Sequence, residues 1–231
     1  MVFQSDAGLV LGADSRKTRG FSLKGPKTLD DSVKFIQLNA DWGLLTYGLS
    51  VVGYRGITAF HESVREAAGL NTQSLLAAGK AALERESLEW SRENPAIPRQ
   101  DYDVGFVLAG YDRMEHALRL YHFQSLSYQP KPIRQSCFVA GQWEIADYLI
   151  RNLFTEGLSM EKTEKLAAFV FDQTLTVEKT VGGDLHLARV TEAGGFQWVS
   201  RERIEALAKE NARYADFFRQ RFASALLDAS R

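Results

Sequence analysis

Three short strand-like stretches of this chain carry residues that could build one polar site. In the first, an apolar run from Gly8 to Ala13 stops abruptly at Asp14-Ser15-Arg16. A buried strand closing on a carboxylate delivers it to a sheet end, where sites are usually built. The second, Val33 to Leu38, carries Lys34 inside a strand-like run, and the third, Gly43 to Gly48, is an apolar run ending on a glycine. A carboxylate, a hydroxyl and an ammonium group gathered at strand ends are the raw material of a polar site, and the three segments are expected to surround one. Each residue also has a plainer reading. Lys34 can snorkel from an edge strand, Asp14 can form a turn, and Gly48 can be an ordinary turn glycine.

The elements that must position these residues follow from periodicity. Strands are expected over 7–13, 33–38 and 43–48, the last two joined tightly across Asn39-Ala40-Asp41-Trp42. The segment from Lys17 to Leu29 suits a short hairpin partner and a turn-rich loop. Ile57, Phe60, Val64 and Ala68 share one helical stripe with Gly69 as its stop. Asn71 or Thr72 caps a second helix that Pro95 and Pro98 end. Strands return at 103–111, 117–123, near Tyr128 before Pro130, and at 136–141, the last expected to be buried. Helices follow at 142–156 and 160–178, the second capped by Ser159 and buried through Leu166, Phe169, Val170 and Leu175. Gly182-Gly183 leads to a strand at 184–190, and Gly194-Gly195 turns it into 196–199. A last helix over 201–226 carries Ile204, Leu207, Tyr214, Phe217, Phe218, Phe222 and Leu226, read as core or as a subunit contact. Helix pairs alternating with strand groups imply an α/β chain of four layers, α/β/β/α, with two stacked antiparallel sheets flanked by helices.

Composition sets the limits. The chain has 231 residues, enough for a large core in what reads as a single domain, with 45% hydrophobic and 25% charged residues. A formal net charge of -1 gives no argument for nucleic acid or an anionic membrane as partner. One cysteine, Cys137, excludes an intramolecular disulfide framework and fits a reducing compartment. No signal-like or membrane-spanning run is visible, so a cytoplasmic protein is expected. His61, His116, His122 and His186 lack ligand spacing, so no metal is expected; Gly105, Gly110 and Gly141 lack the ending of a phosphate loop, and no cofactor is expected.

The stretch Gly8-Leu9-Val10-Leu11-Gly12-Ala13-Asp14-Ser15-Arg16 resembles the first strand of the 20S proteasome subunit family of N-terminal nucleophile hydrolases, the β-type more than the α-type. Lys34 to Asn39 looks like that family's lysine strand, and Leu44 to Gly48 like the strand after it. The order of elements extends the likeness over nearly the whole chain. The resemblance implies a threonine peptidase, in which a terminal threonine hydroxyl attacks a peptide carbonyl and its own α-amine is the base. By position it assigns Asp14 as the pairing carboxylate, Lys34 as the tuning ammonium, Gly48 as the oxyanion donor and Glu178 as the distal acid. Thr46, Ser50 and Tyr54 would border the substrate pocket. It also implies a peptide or unfolded-protein substrate and a homo-oligomer, possibly a ring.

Three departures accompany the likeness. The family's threonine falls about three residues ahead of Met1, and Val181 stands where the family has a serine; a second family serine falls near Gln142-Trp143. Two readings follow: a hydrolase with its nucleophile upstream of Met1, or a non-catalytic structural or binding protein of the same fold.

Overall fold

The computed structural model describes residues 1–22, 25–65, 71–98, 103–141 and 144–228. The expected stop at Gly69 and the stretch Gln142-Trp143 lie outside them.

A hairpin of β1 (Val2–Gln4) and β2 (Gly8–Asp14) opens the chain, followed by a separate two-stranded ribbon, β3 (Lys17–Ser22) and β4 (Gly25–Leu29). Next come β5 (Phe35–Gln37), β6 (Trp42–Gly48), α1 (Ser50–Arg65) and α2 (Thr72–Glu93). The Asn39 side chain shapes the turn before β6 by accepting from the N–H groups of Asp41 and Trp42. Asn71 caps α2 by accepting from Ser74 N, and the helix ends ahead of Pro95.

The middle of the chain supplies β7 (Val104–Asp112), β8 (Ala117–Gln124), β9 (Lys131–Pro132) and β10 (Cys137–Phe138). It closes with α3 (Glu144–Leu153), α4 (Met160–Val177), β11 (Leu185–Thr191), β12 (Gly195–Trp198) and α5 (Arg201–Asp228). One sheet runs β10-β1-β2-β11-β12 and the other β5-β6-β7-β8-β9, with every pairing antiparallel.

Alternation along the strands sorts the core into three clusters, and these define the layers. Leu44, Phe106, Leu108 and Phe123 pack against Ile57, Phe60, Leu75 and Leu83 of α1 and α2. Leu9, Leu11, Leu45, Val107, Ala188 and Val190 meet between the two sheets. Phe3, Val10 and Leu187 face Ala167, Val170, Phe171 and Leu207 of α4 and α5. The result is the expected α/β/β/α sandwich. β7 is buried along its whole length because helices cover one face and the other sheet covers the second.

Several expectations are corrected. Tyr128 lies in no strand: it follows β8 in a left-handed conformation with φ 45°, fully buried, and the short strand comes after Pro130. The 136–141 stretch is a half-buried edge strand of two residues, because its outer side lacks a partner strand. The buried stripe of α4 runs through Thr163, Glu164, Ala167, Ala168, Val170, Phe171 and Thr174, while Leu175 is exposed. On α5, Leu207 is buried but Tyr214 and Phe217 are exposed, because the helix packs through its first turns. No helix among the described residues is long and apolar enough to cross a membrane.

Candidate active site

Asp14 is the last residue of β2, and Lys34 immediately precedes β5 in the opposite sheet. The Lys34 carbonyl accepts from Thr46 N at 2.8 Å, which ties its backbone to β6. Lys34 Nζ then donates to Asp14 Oδ1 at 2.8 Å, with both side chains largely shielded from solvent. The second oxygen, Asp14 Oδ2, accepts from the backbone N–H of Arg16 at 3.3 Å and of Gly182 at 3.2 Å. With both oxygens engaged, the carboxylate has a fixed orientation.

The residues after Asp14 build the wall behind it. Arg16 holds Asp30 in a two-point grip, Nε to Oδ1 at 2.7 Å and Nη2 to Oδ2 at 2.9 Å. Its Nη1 donates to the carbonyls of Lys179 and Val181. Ser15 Oγ donates to the Asp30 carbonyl and accepts from Asp184 N. A three-residue run therefore fastens two distant loops to the end of β2.

These groups border a cavity of about 700 Å³, lined by Met1, Asp14, Lys34, Gly48 and Ser50 among others. Gly48 ends β6 at φ 85°, a left-handed conformation, and a Cβ there would lie 2.1 Å from the Asp103 carbonyl oxygen. We expect Gly48→Ala to destabilise the fold by roughly 1–3 kcal/mol. A chemical denaturation midpoint unchanged from the parent would contradict that expectation. Ser50 opens α1 two residues later, so the positive end of a 16-residue helix adjoins the cavity.

Not every candidate arrives at the site in the expected way. Thr46 lines the cavity, but its hydroxyl is spent on the Gly105 carbonyl at 3.1 Å. Tyr54 is 57% exposed on α1 and is not part of the lining, because its helical position turns it outward. Glu178 caps the end of α4 and stays outside the lining. Its carboxylate accepts from Thr180 N and Thr180 Oγ1, bonds that hold it below the usual glutamate range. Thr180 and Val181 reach the cavity instead.

Three lining or supporting residues were not singled out as site residues by sequence reasoning. Tyr47 of β6 lines the cavity, and its hydroxyl lies 2.8 Å from His122 Nε2 on β8. Asp103 also lines it, beside Gly48. In the sequence His122 stands out only as a histidine without ligand spacing; its cross-strand partner is a matter of register that a single segment does not reveal.

The start of β1 points into the same space. Met1 donates through its amine to the Gly12 carbonyl at 2.8 Å and accepts from Gly12 N at 2.9 Å. Burial pushes this amine down to about 6; Asp14 opposes the shift and Lys34 adds to it. Val2 pairs with Leu11 on one side and Phe138 on the other. Continued upstream, that register would set the residue two ahead of Met1 opposite Asp14. Both flanking edges, Ala13–Asp14 and Val139–Gly141, line the cavity, so the cavity lies on the extended line of β1. Among the described residues there is no cluster of His, Cys, Asp and Glu able to hold a metal ion.

No protein-family model matches the sequence, and no curated protein matches it. Solved structures do match. The Anbu (Gly-1) mutant from Hyphomicrobium sp. strain MC1 aligns with a TM-score of 0.71 at 16% identity, over 96% of this chain and 95% of that one. Anbu (ancestral beta-subunit) from Yersinia bercovieri aligns with a TM-score of 0.71 at 14% identity, over the same shares. The likeness to 20S proteasome β-type subunits is therefore corrected: these structures are Anbu proteins, at identities that carry the fold and nothing narrower. The chain has the fold of the N-terminal nucleophile hydrolases.

Proposed function

We propose that this protein is an N-terminal nucleophile amide hydrolase acting on peptide bonds. The observation that carries the reading is the Asp14–Lys34 pair at 2.8 Å, set in a cavity that continues the line of β1. A terminal threonine two or three residues ahead of Met1 would place its hydroxyl and α-amine beside that pair. The amine takes the hydroxyl proton as Oγ bonds to the substrate carbonyl carbon. The resulting oxyanion is stabilised by the backbone at Gly48, next to the start of α1. On collapse the carbon–nitrogen bond breaks and the proton passes to the leaving amine. Water then releases the acyl group by the same route. Lys34 keeps the amine deprotonated by adding positive charge nearby, the direction in which it already acts on the Met1 amine. Self-association that encloses the cavity belongs to the same reading.

The test is a chain extended ahead of Met1 with a threonine exposed as its first residue by a removable leader. Hydrolysis of blocked fluorogenic peptides, and a mass increase after treatment with a β-lactone, are the expected results. A second reading, a peptide-binding protein without turnover, draws support from Val181 and from Glu178 being engaged by Thr180. Peptide binding by the extended chain with neither hydrolysis nor adduct would favour it.

A further inference from the structure

We propose that the end of the cavity beside Gly48 is a subsite for a cationic side chain, with Asp103 as countercharge and the Tyr47 hydroxyl, fixed by His122, as hydrogen-bond acceptor. The inference rests on reading the cavity as a peptide site.

Alternation along β6 sends Thr46 toward α1 and Tyr47 to the opposite face. The Tyr47 ring crosses β7 at Gly105, where a Cβ would lie 2.3 Å from the ring and its oxygen, so any side chain at 105 would displace it. Beyond Gly105 the hydroxyl reaches His122 Nε2 at 2.8 Å, and the Phe138 ring packs on the imidazole with centroids 5.1 Å apart. Burial holds the Tyr47 phenol above its usual range, with Asp103 adding to the effect. Burial also lowers His122, which Asp103 opposes and Lys131 assists. In the tautomer with the proton on Nδ1, His122 accepts through Nε2 and Tyr47 is the donor of the pair. Its oxygen keeps lone pairs for a ligand in the cavity that Tyr47 lines.

The charges around the cavity are distributed unevenly. Lys34, Arg16 and Lys17 each lie against a carboxylate of their own, Asp14 at 2.8 Å, Asp30 at 2.7 Å and Asp31 at 2.9 Å. Asp103 accepts from the neutral Ser125 hydroxyl at 3.2 Å, and no cation among the described residues forms an ion pair with it. The cationic side is offset where it stands, so the Asp103 end is where an incoming ammonium or guanidinium group gains most.

Equilibrium binding of blocked tripeptide amides ending in arginine, norleucine or glutamate tests this, alongside agmatine as a non-peptide guanidinium probe. The arginine peptide is expected to bind about tenfold more tightly than the norleucine peptide, with added salt narrowing the gap, and to shift the His122 ring resonances. Asp103→Asn should erase most of the preference. Tyr47→Phe, which keeps the ring over Gly105, should reduce it severalfold. Equal affinity for arginine and norleucine peptides, or a preference that survives Asp103→Asn, overturns the subsite. Binding is read without turnover, so a persisting arginine preference with failed hydrolysis sinks the hydrolase reading alone. Asp103-dependent binding of agmatine without any peptide binding sinks the peptide reading alone. Binding of no probe at all overturns the subsite.

Discussion

In the threonine-bearing chain, Lys34→Ala is expected to lower kcat/KM by about 10²–10⁴-fold, the usual worth of a group that sets the proton affinity of a catalytic acid or base. A second readout separates tuning from scaffolding. Lys34 lowers the proton affinity of an amine in this cavity, while Asp14 raises it. Removing the ammonium leaves the carboxylate unopposed, so the amine stays protonated to higher pH. The acid limb of the pH–rate profile should therefore move upward. Loss of packing alone would lower the rate without moving that limb. Lys34→Arg keeps the charge and should retain the position of the limb even where activity falls. A Lys34→Ala chain within twofold of the parent, or one with an unmoved acid limb, would contradict the assigned role.

The largest stability effect is expected away from the cavity, at Arg189→Met. Glu164 sits on the buried face of α4 with no exposed surface, among Ala167, Ala168 and Val170. Its Oε1 accepts from Arg189 Nε of β11, and its Oε2 lies 3.5 Å from Arg203 Nε of α5. The Arg203 contact is too long to replace the first, and Arg203 is shared with Glu161. Removing Arg189 strands a buried carboxylate, a loss of about 3–5 kcal/mol. Replacing both partners together, Glu164→Leu with Arg189→Met, removes the stranded charge and should restore most of that loss. Urea denaturation of the parent, the two single variants and the double variant measures this directly. A single Arg189→Met variant that loses under about 1 kcal/mol would show that Arg203 carries the pairing, against the geometry.

The layers were legible because apolar runs, caps and proline stops act locally. Asn71 and Ser159 each cap their helix from their own sequence neighbourhood. Asp14 and Lys34 could be singled out for a related reason: each is a charge at the edge of an apolar run. What escaped the sequence depends on which strands and helices become neighbours. Tyr47 reaches His122 across β7 only because register sets Gly105 between them. No local pattern marks Glu164 as buried; Arg189 of β11 and Arg203 of α5 meet it only in the assembled fold. Tyr214 and Phe217 fit an apolar stripe, yet the part of α5 beyond Asn211 leaves them facing outward. Glu178 had the right charge at nearly the right place, but Thr180, two residues away, takes its carboxylate first.

The clamp made by Asp14, Ser15 and Arg16 acts on residues 179–184 through main-chain carbonyl and amide groups. Every amino acid except proline presents the same such groups. Apart from Gly182 and Gly183, where a Cβ would collide with Arg16 and Ser15, the turn's own residues are thus largely excused from maintaining its shape. The specification resides in the glycine pair and the three residues that grip it. Drift at Thr180 and Val181 can then re-dress the cavity wall while leaving the contour of the chain in place.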